Sequence, residues 1–171
     1  MFDDFFIKTG SSLLISIVVG LTVAFFTAKY ALTRFYKEKW WEKKLAAFLE
    51  VTEHICKIKR SEDYWLAKAE SERYDDSSFQ ELSPEGEEEL RAEYSSGIKE
   101  LTRISYLSSF TLSQKASILL REYIDEHDKI YPSWWEDEID NIQASRMSQE
   151  LINKLLVDIL PEAKRELKIN S

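Results

Sequence analysis

The sequence contains few of the residue types on which most catalytic motifs depend. Its 171 residues include one cysteine, four glycines, three prolines and two histidines. The single Cys56 excludes a disulfide within the chain and supplies no cluster of metal ligands, which suits a reducing compartment. The four glycines form no phosphate-binding loop, and His54 and His127 build no serine–histidine–aspartate constellation. We therefore expect neither a metal nor a cofactor.

Positive charge is scarce outside the first quarter of the chain. Residues 1–44 hold seven Lys and Arg against four Asp and Glu, whereas the remainder holds sixteen against twenty-seven, a net charge of −11. Because the phosphate backbone of nucleic acids selects clustered Lys and Arg, this acidic body is a poor general binder of nucleic acid. We expect no direct binding of DNA.

The one long uncharged run lies near the N-terminus. Between Lys8 and Lys29, twenty residues from Thr9 to Ala28 carry no charge. At about 1.5 Å per residue, a helix of this length covers roughly 30 Å, the thickness of a hydrocarbon core. A cleaved signal peptide is the alternative, but it requires a basic start, whereas this chain begins with Met1-Phe2-Asp3-Asp4. The run therefore predicts a transmembrane anchor over 1–35, followed by a cytoplasmic helical domain over 36–171.

The charges that flank the run predict its orientation. Six basic residues follow it closely and only Lys8 precedes it, so the positive-inside rule places the C-terminal body in the cytoplasm. We expect a single-pass protein of a bacterial inner membrane, with its N-terminus outside. The residues expected to anchor the helix at the lipid headgroups are Lys29, Arg34, Lys37, Trp40 and Trp41.

Small residues recur at every fourth position of the predicted span. They are Ser12, Ser16, Gly20, Ala24 and Ala28. Helices in lipid associate through close backbone contact at small residues, and serine hydroxyls can hydrogen bond across such a contact. The alternative is that Gly, Ala and Ser are simply common in membrane helices. The spacing predicts a face through which copies of the chain assemble.

The rest of the sequence has the three- and four-residue apolar spacing of helices. Neither Gly nor Pro occurs between Leu21 and Leu82, so the first helix is predicted to continue to about Arg73. Ser83 is predicted to cap a second helix that begins at Pro84. Its expected buried face consists of Leu90, Tyr94, Ile98, Leu101, Ile104 and Leu107.

Two prolines divide the remaining pattern. A third helix is predicted after Ser113 and ends where Pro132 interrupts its apolar repeat. The capping-box sequence from Ser133 to Glu136 predicts the start of a last helix, and Pro161 is expected to end or kink it before a short tail helix. No segment alternates with period two. The sequence therefore predicts an all-α body of about four helices.

Arg121 and His127 are the candidate catalytic residues. An Arg followed by a His after four to six residues is the signature of HEPN ribonucleases, small helical domains that cut RNA as dimers. In such a site the Arg stabilises phosphate charge and the His moves a proton. The alternative is that both are ion-pairing surface residues, since an ideal helix places them about 120° apart.

A single N-terminal membrane helix, an all-helical body of this size and the motif Arg121-x5-His127 together resemble the membrane accessory proteins of type VI-B CRISPR systems. The resemblance implies a protein that assists an RNA-guided nuclease. It also implies an oligomer with a pore-like assembly that depolarises the envelope during phage infection. Arg121 and His127 correspond to the HEPN-like motif of that family.

Three functions follow as hypotheses. The first is a homo-oligomer that perturbs the membrane in antiphage defence, with the bilayer, further copies of the chain and a cytoplasmic effector as partners. The second is a non-enzymatic scaffold that recruits a cytoplasmic partner. Trp134 and Trp135 are relevant to the scaffold hypothesis. Either both rings pack in the core, or one packs there and the other is exposed to a partner. The third is a membrane-tethered ribonuclease that uses Arg121 and His127.

Overall fold

A computed structural model describes the backbone of residues 2–169 and the side chains of residues 17–108 and 110–169. Within this range the chain forms four helices and no strand. The prediction of an all-α protein is confirmed. The helices are α1 (Phe2–Tyr74), α2 (Pro84–Thr111), α3 (Gln114–Trp135) and α4 (Asn141–Leu167).

The chain divides into two compact units, Met1–Glu42 and Lys43–Ser171. We call the second unit the helical body. The long α1 belongs to both units, as expected from the absence of Gly and Pro between Leu21 and Leu82. In the first unit, the apolar side chains from Ile17 onward are exposed on all sides of the helix. One stretch of α1 is long and apolar enough to cross a membrane, and none of it is buried.

All four helices contribute apolar side chains to one core in the helical body. Its buried members include Phe48, Val51, Ile55 and Ile58 from α1, Leu101 and Ile104 from α2, Ala116, Leu120 and Tyr123 from α3, and Ile152, Leu155 and Ile159 from α4. Fully burying an aliphatic or aromatic side chain of this size contributes about 1.5–3 kcal/mol to folding. The predicted face of α2 is largely correct, but Leu107 is 47% exposed, so its assignment to the core was wrong.

The N-terminal caps explain where the later helices begin. Ser83 accepts a hydrogen bond from the Gly86 amide and precedes Pro84, which confirms the predicted start of α2. Ser113 caps α3 by accepting from the Ala116 amide. The cap of α4 is Asp140, whose carboxylate accepts from the Gln143 amide at 2.7 Å. These side chains satisfy amides that have no partner inside the helix.

The predicted break at Pro132 was wrong. Pro132 lies in the last turn of α3, which continues to Trp135, and the capping box from Ser133 to Glu136 opens no helix. A proline inside a helix leaves the carbonyl four residues earlier without its amide donor. Here that carbonyl belongs to Asp128, which is exposed and accessible to water. The Glu136 amide still donates to the Pro132 carbonyl, so the turn closes.

Pro161 does not end α4. The helix continues through it to Leu167, so no separate tail helix forms. The carbonyl that loses its donor belongs to Val157, which is 68% exposed. Exposure lowers the cost of the proline, because water replaces the missing hydrogen bond.

Gly97 lies at a close approach between α2 and α1. A Cβ atom added at Gly97 would come within 2.9 Å of Cγ1 of Ile58, a side chain that is fully buried. Only glycine leaves enough room for this contact.

Candidate functional site

Three polar side chains meet inside the helical body, each from a different helix. The Tyr94 hydroxyl on α2 lies 2.7 Å from Nε2 of His127 on α3. The same hydroxyl interacts with the carboxyl group of Glu62 on α1. Tyr94 therefore links an acid and an imidazole, and we call Glu62, Tyr94 and His127 the polar triad.

Glu62 is buried although it can carry a charge. Its side chain lies on the apolar stripe of α1, and only 3% of the residue is exposed. Burial, with a smaller contribution from the negative charge of Asp63, raises the pKa of Glu62 to about 7, against the opposing effect of the Tyr94 hydrogen bond. In the part of the chain with described side chains, no Lys or Arg forms an ion pair with Glu62. The carboxyl group therefore titrates close to neutral pH.

His127 is held largely neutral. Burial lowers the pKa of its imidazole, and the neighbouring Asp128 opposes this shift. Nδ1 lies 3.5 Å from Oδ1 of Asp128, and it has no hydrogen-bond partner among the described side chains. Burial also raises the pKa of Tyr94 and of Tyr123, so both phenols stay protonated.

Two proton arrangements fit this geometry. When Glu62 is protonated, it donates to the Tyr94 oxygen, Tyr94 donates to Nε2 of His127, and the ring proton on Nδ1 faces Asp128. When Glu62 is ionised, Tyr94 donates to the carboxylate and accepts from a protonated Nε2. Loss of the Glu62 proton therefore leaves only the second arrangement, because an ionised carboxylate can accept but not donate.

The polar triad opens into a cleft lined by aromatic rings. The cleft has a volume of about 370 Å³, and its lining includes all three triad residues together with Trp65, Ile130, Tyr131, Trp134, Ala144, Ser145 and Ser148. Trp65 and Tyr94 make an edge contact with ring centroids 4.8 Å apart. Tyr131 and Trp134 form a second pair at 5.8 Å. This cavity, which we call the aromatic cleft, has the size of a small-molecule site.

Arg121 and His127 have different surroundings. His127 is in the aromatic cleft, whereas Arg121 is exposed and is not among the residues that line it. The ribonuclease assignment of this pair stays a prediction. Trp134 is 38% exposed and Trp135 is 70% exposed, so the rings are not both packed in the core.

The predicted membrane-associated residues lie in the first unit. Nothing lies within 4 Å of a Cβ added at Gly20, and Ala24 and Ala28 are exposed, while the side chains of Ser12 and Ser16 lie outside the described residues. Among the predicted interfacial residues, Arg34 pairs with Glu38 at 2.8 Å. Lys29, Lys37, Trp40 and Trp41 are exposed.

The comparisons with known proteins give no further guide. No protein-family model matches the chain, and no curated protein or solved structure is significantly similar to it. Within the described residues, no group of three or more His, Cys, Asp or Glu side chains comes together as a metal site.

The sequence pattern was not used to identify Glu62 as a buried residue, although its position in the helical repeat of α1 indicates burial. Ile55, Ile58, Leu66 and Ala69 are buried at three- and four-residue spacing along α1, and position 62 belongs to the same series. An acidic residue on such a stripe is rarely buried unless it has a specific partner or role. Here its neighbour is Tyr94, which the sequence placed on the buried face of α2.

Proposed function

We propose that the protein is a single-pass membrane protein that self-associates through its apolar N-terminal helix and holds the helical body in the cytoplasm of a bacterium. One observation carries the proposal. The apolar stretch of α1 has no intramolecular cover, and the open position at Gly20 permits the close backbone approach that membrane helices use. The basic residues that follow the stretch support the cytoplasmic orientation.

The proposed role of this assembly is to perturb the membrane as an accessory in antiphage defence. Its support is the architectural resemblance to the accessory proteins of type VI-B CRISPR systems. A ring of copies would enclose a path across the bilayer, and an RNA-guided nuclease is the corresponding cytoplasmic effector. Depolarisation of cells on expression is the direct readout for this role.

The first experiment is the native mass of the full-length protein in mild detergent. Gly20→Leu combined with Ala24→Leu fills the small-residue face. Val18→Leu combined with Thr22→Leu is the matched control, because it adds two leucines with the same spacing about 160° around the helix. We expect a large assembly in the wild type and the control, and a smaller species in the first variant.

Two outcomes of the native-mass experiment would contradict self-association through this face. If the wild type is monomeric, or if both double variants retain the same large mass, the small-residue face does not drive assembly. A membrane-potential dye in expressing cells then separates assembly from permeability. A depolarisation that is lost in the Gly20 and Ala24 variant supports the defence role, and an unchanged potential in the wild type contradicts it.

Recruitment of a cytoplasmic partner is the second candidate function, and the exposed rings at the end of α3 favour it. Tyr131 and Trp135 stack with centroids 6.3 Å apart and are 62% and 70% exposed. Exposed tyrosine and tryptophan are enriched where proteins bind each other. The test is co-purification of a defined partner with the wild type and its loss in Trp135→Ala, with Tyr106→Ala as the exposed aromatic control.

A further inference from the structure

We propose that the aromatic cleft binds a small organic cation that carries a methylated ammonium group, with Glu62 as its counter-ion and Trp65, Tyr94, Tyr131 and Trp134 as its walls. This proposal is independent of self-association in the membrane. It assigns a ligand class to a cavity that the proposed function does not use.

The first support is the shape and chemistry of the walls. Four of the ten lining residues are Trp or Tyr, and the cavity of about 370 Å³ is large enough for a choline-sized molecule. The negative faces of such rings attract cations, most strongly when water is displaced. A quaternary ammonium has no N–H group to satisfy, so the four aromatic rings can contact it without leaving a hydrogen-bond donor unpaired.

The second support is the charge of Glu62. An ionised carboxylate without a counter-ion is costly to bury, and Glu62 is 3% exposed. The nearby lysines are occupied: Lys59 pairs with Asp63 at 2.8 Å, and Lys68 pairs with Glu87 at 2.6 Å. A proton can neutralise Glu62, and a bound cation would take the place of that proton.

The other charged groups near the cleft leave this assignment intact. Asp63 on α1 and Asp128 on α3 are negative, and His127 is largely neutral because burial lowers its pKa. From α4, the lining residues Ala144, Ser145 and Ser148 carry no charge. Glu72 and the cations Lys68 and Arg91 lie in the adjoining part of the groove, which also includes Tyr94 and Trp134.

The test measures binding of choline to the full-length protein in nanodiscs made of phosphatidylglycerol, which carries no ammonium group. Tryptophan fluorescence reports occupancy, since Trp65 and Trp134 line the cleft, and calorimetry confirms it. The reference ligand is the carbon isostere of choline, which has the same shape without the charge. At about pH 8, where Glu62 is mostly ionised, we expect saturable choline binding and roughly tenfold weaker binding of the isostere.

Glu62→Gln should weaken choline binding about tenfold and leave binding of the isostere unchanged, because only the charge is removed. Glu89→Gln is the matched control, since it makes the same change at an exposed carboxylate outside both parts of the groove and should retain the affinity. Helix content by circular dichroism establishes that both variants fold. Trp134→Leu is the second variant, which removes one aromatic wall while Glu62 remains, and it should also weaken choline binding.

Proton release gives an independent readout. Choline binding near neutral pH should release protons as Glu62 ionises, and the isostere should release none. Calorimetry in two buffers of different ionisation enthalpy measures this. Equal affinities for choline and its isostere, wild-type affinity in Glu62→Gln, or no saturable binding by either method would overturn the proposal.

A final experiment distinguishes two sources of the ligand, a soluble cation and the headgroup of a lipid. Replacing part of the phosphatidylglycerol with phosphatidylcholine should leave the affinity for free choline unchanged if the ligand is soluble. A reduced apparent affinity would show that lipid headgroups occupy the cleft. Either result supports the same site chemistry.

Discussion

Tyr94 and His127, which are 33 positions apart in the sequence, are joined by a 2.7 Å contact between the Tyr94 hydroxyl and Nε2 of the imidazole. The contact connects α2 to α3, and the interaction of the same hydroxyl with Glu62 connects both to α1. The Tyr94 hydroxyl therefore interacts with side chains from both of the other helices, at the lining of the aromatic cleft.

Tyr94→Phe should destabilise the protein by about 1–3 kcal/mol, because it leaves buried polar groups of Glu62 and His127 without their partner. It should also raise the pKa of Glu62 further, since the hydrogen bond from Tyr94 lowers that pKa. The measurement is the urea unfolding of the protein in detergent micelles at several pH values, monitored by circular dichroism. Tyr106→Phe, at a residue that is 73% exposed, is the control and should change little. Equal stability of the two variants would contradict the prediction.

Glu62→Gln should change how stability depends on pH. The folded-state pKa of Glu62 is about 7 and its ordinary value is 4.5, so between these values the folded protein holds a proton that the unfolded chain has lost. This contribution is complete below about pH 4.5 and is lost as pH rises through 7. At about pH 8 the free energy of unfolding has lost a contribution of the order of 3 kcal/mol from the protonation of Glu62.

The free energy of unfolding of the wild type, minus that of Glu62→Gln, should therefore fall as pH rises from about 5 to 8. Taking the difference matters, because His127 acts in the opposite direction. Its pKa is lowered in the folded protein, so its contribution is lost as pH falls below about 6.5. A difference that stays constant with pH would show that Glu62 does not titrate in this range.

The two serine caps should differ in their contribution to stability. The Ser113 hydroxyl accepts from the Ala116 amide and donates to the carboxylate of Glu162, which is 2% exposed. Ser83 caps α2 at an exposed position. Ser83→Ala should cost about 1 kcal/mol, and Ser113→Ala about 2–3 kcal/mol, because a buried charge also loses a donor. Urea unfolding of the two variants compares these costs directly, and similar values would contradict the role of Glu162.

RNA incubated with the wild-type protein should remain intact. Nε2 of His127 is engaged by Tyr94, its pKa is lowered by burial, and Arg121 is not part of the cleft lining. Gel analysis of a labelled RNA is the measurement. Cleavage by the wild type that disappears in both Arg121→Ala and His127→Ala would instead support the ribonuclease hypothesis.

The helices themselves could be predicted because their signals are local. The extent of α1 follows from a long segment without Gly or Pro, and the start of α2 follows from Ser83 and Pro84, both of which act within one turn. The errors at Pro132 and Pro161 have a common cause. A proline removes one hydrogen bond and crowds the carbonyl four residues earlier, and whether the helix continues depends on tertiary packing and on the access of water to that carbonyl, neither of which is local in sequence.

The polar triad could not be predicted because its members come from three helices. Periodicity indicates that positions 62 and 94 face the interior. It does not indicate which helices pack against each other, or which residues of two neighbouring helices lie at the same level along their axes. Spacing along one helix pairs His127 with Arg121. The structure places it instead beside Tyr94 of another helix, so the relevant neighbour was distant in sequence.

The contact of Gly97 with Ile58 has a consequence for recognising relatives of this protein. Every other amino acid would add a carbon at position 97, within 2.9 Å of Cγ1 of Ile58, so glycine is needed there wherever position 58 keeps a side chain of this size. Core side chains elsewhere can exchange volume with their neighbours as sequences diverge. We therefore expect the glycine to persist in relatives that keep an isoleucine about forty residues earlier in α1, even where the surrounding sequence has changed beyond alignment. This pair of positions would give distant homologues a fixed point for superposition.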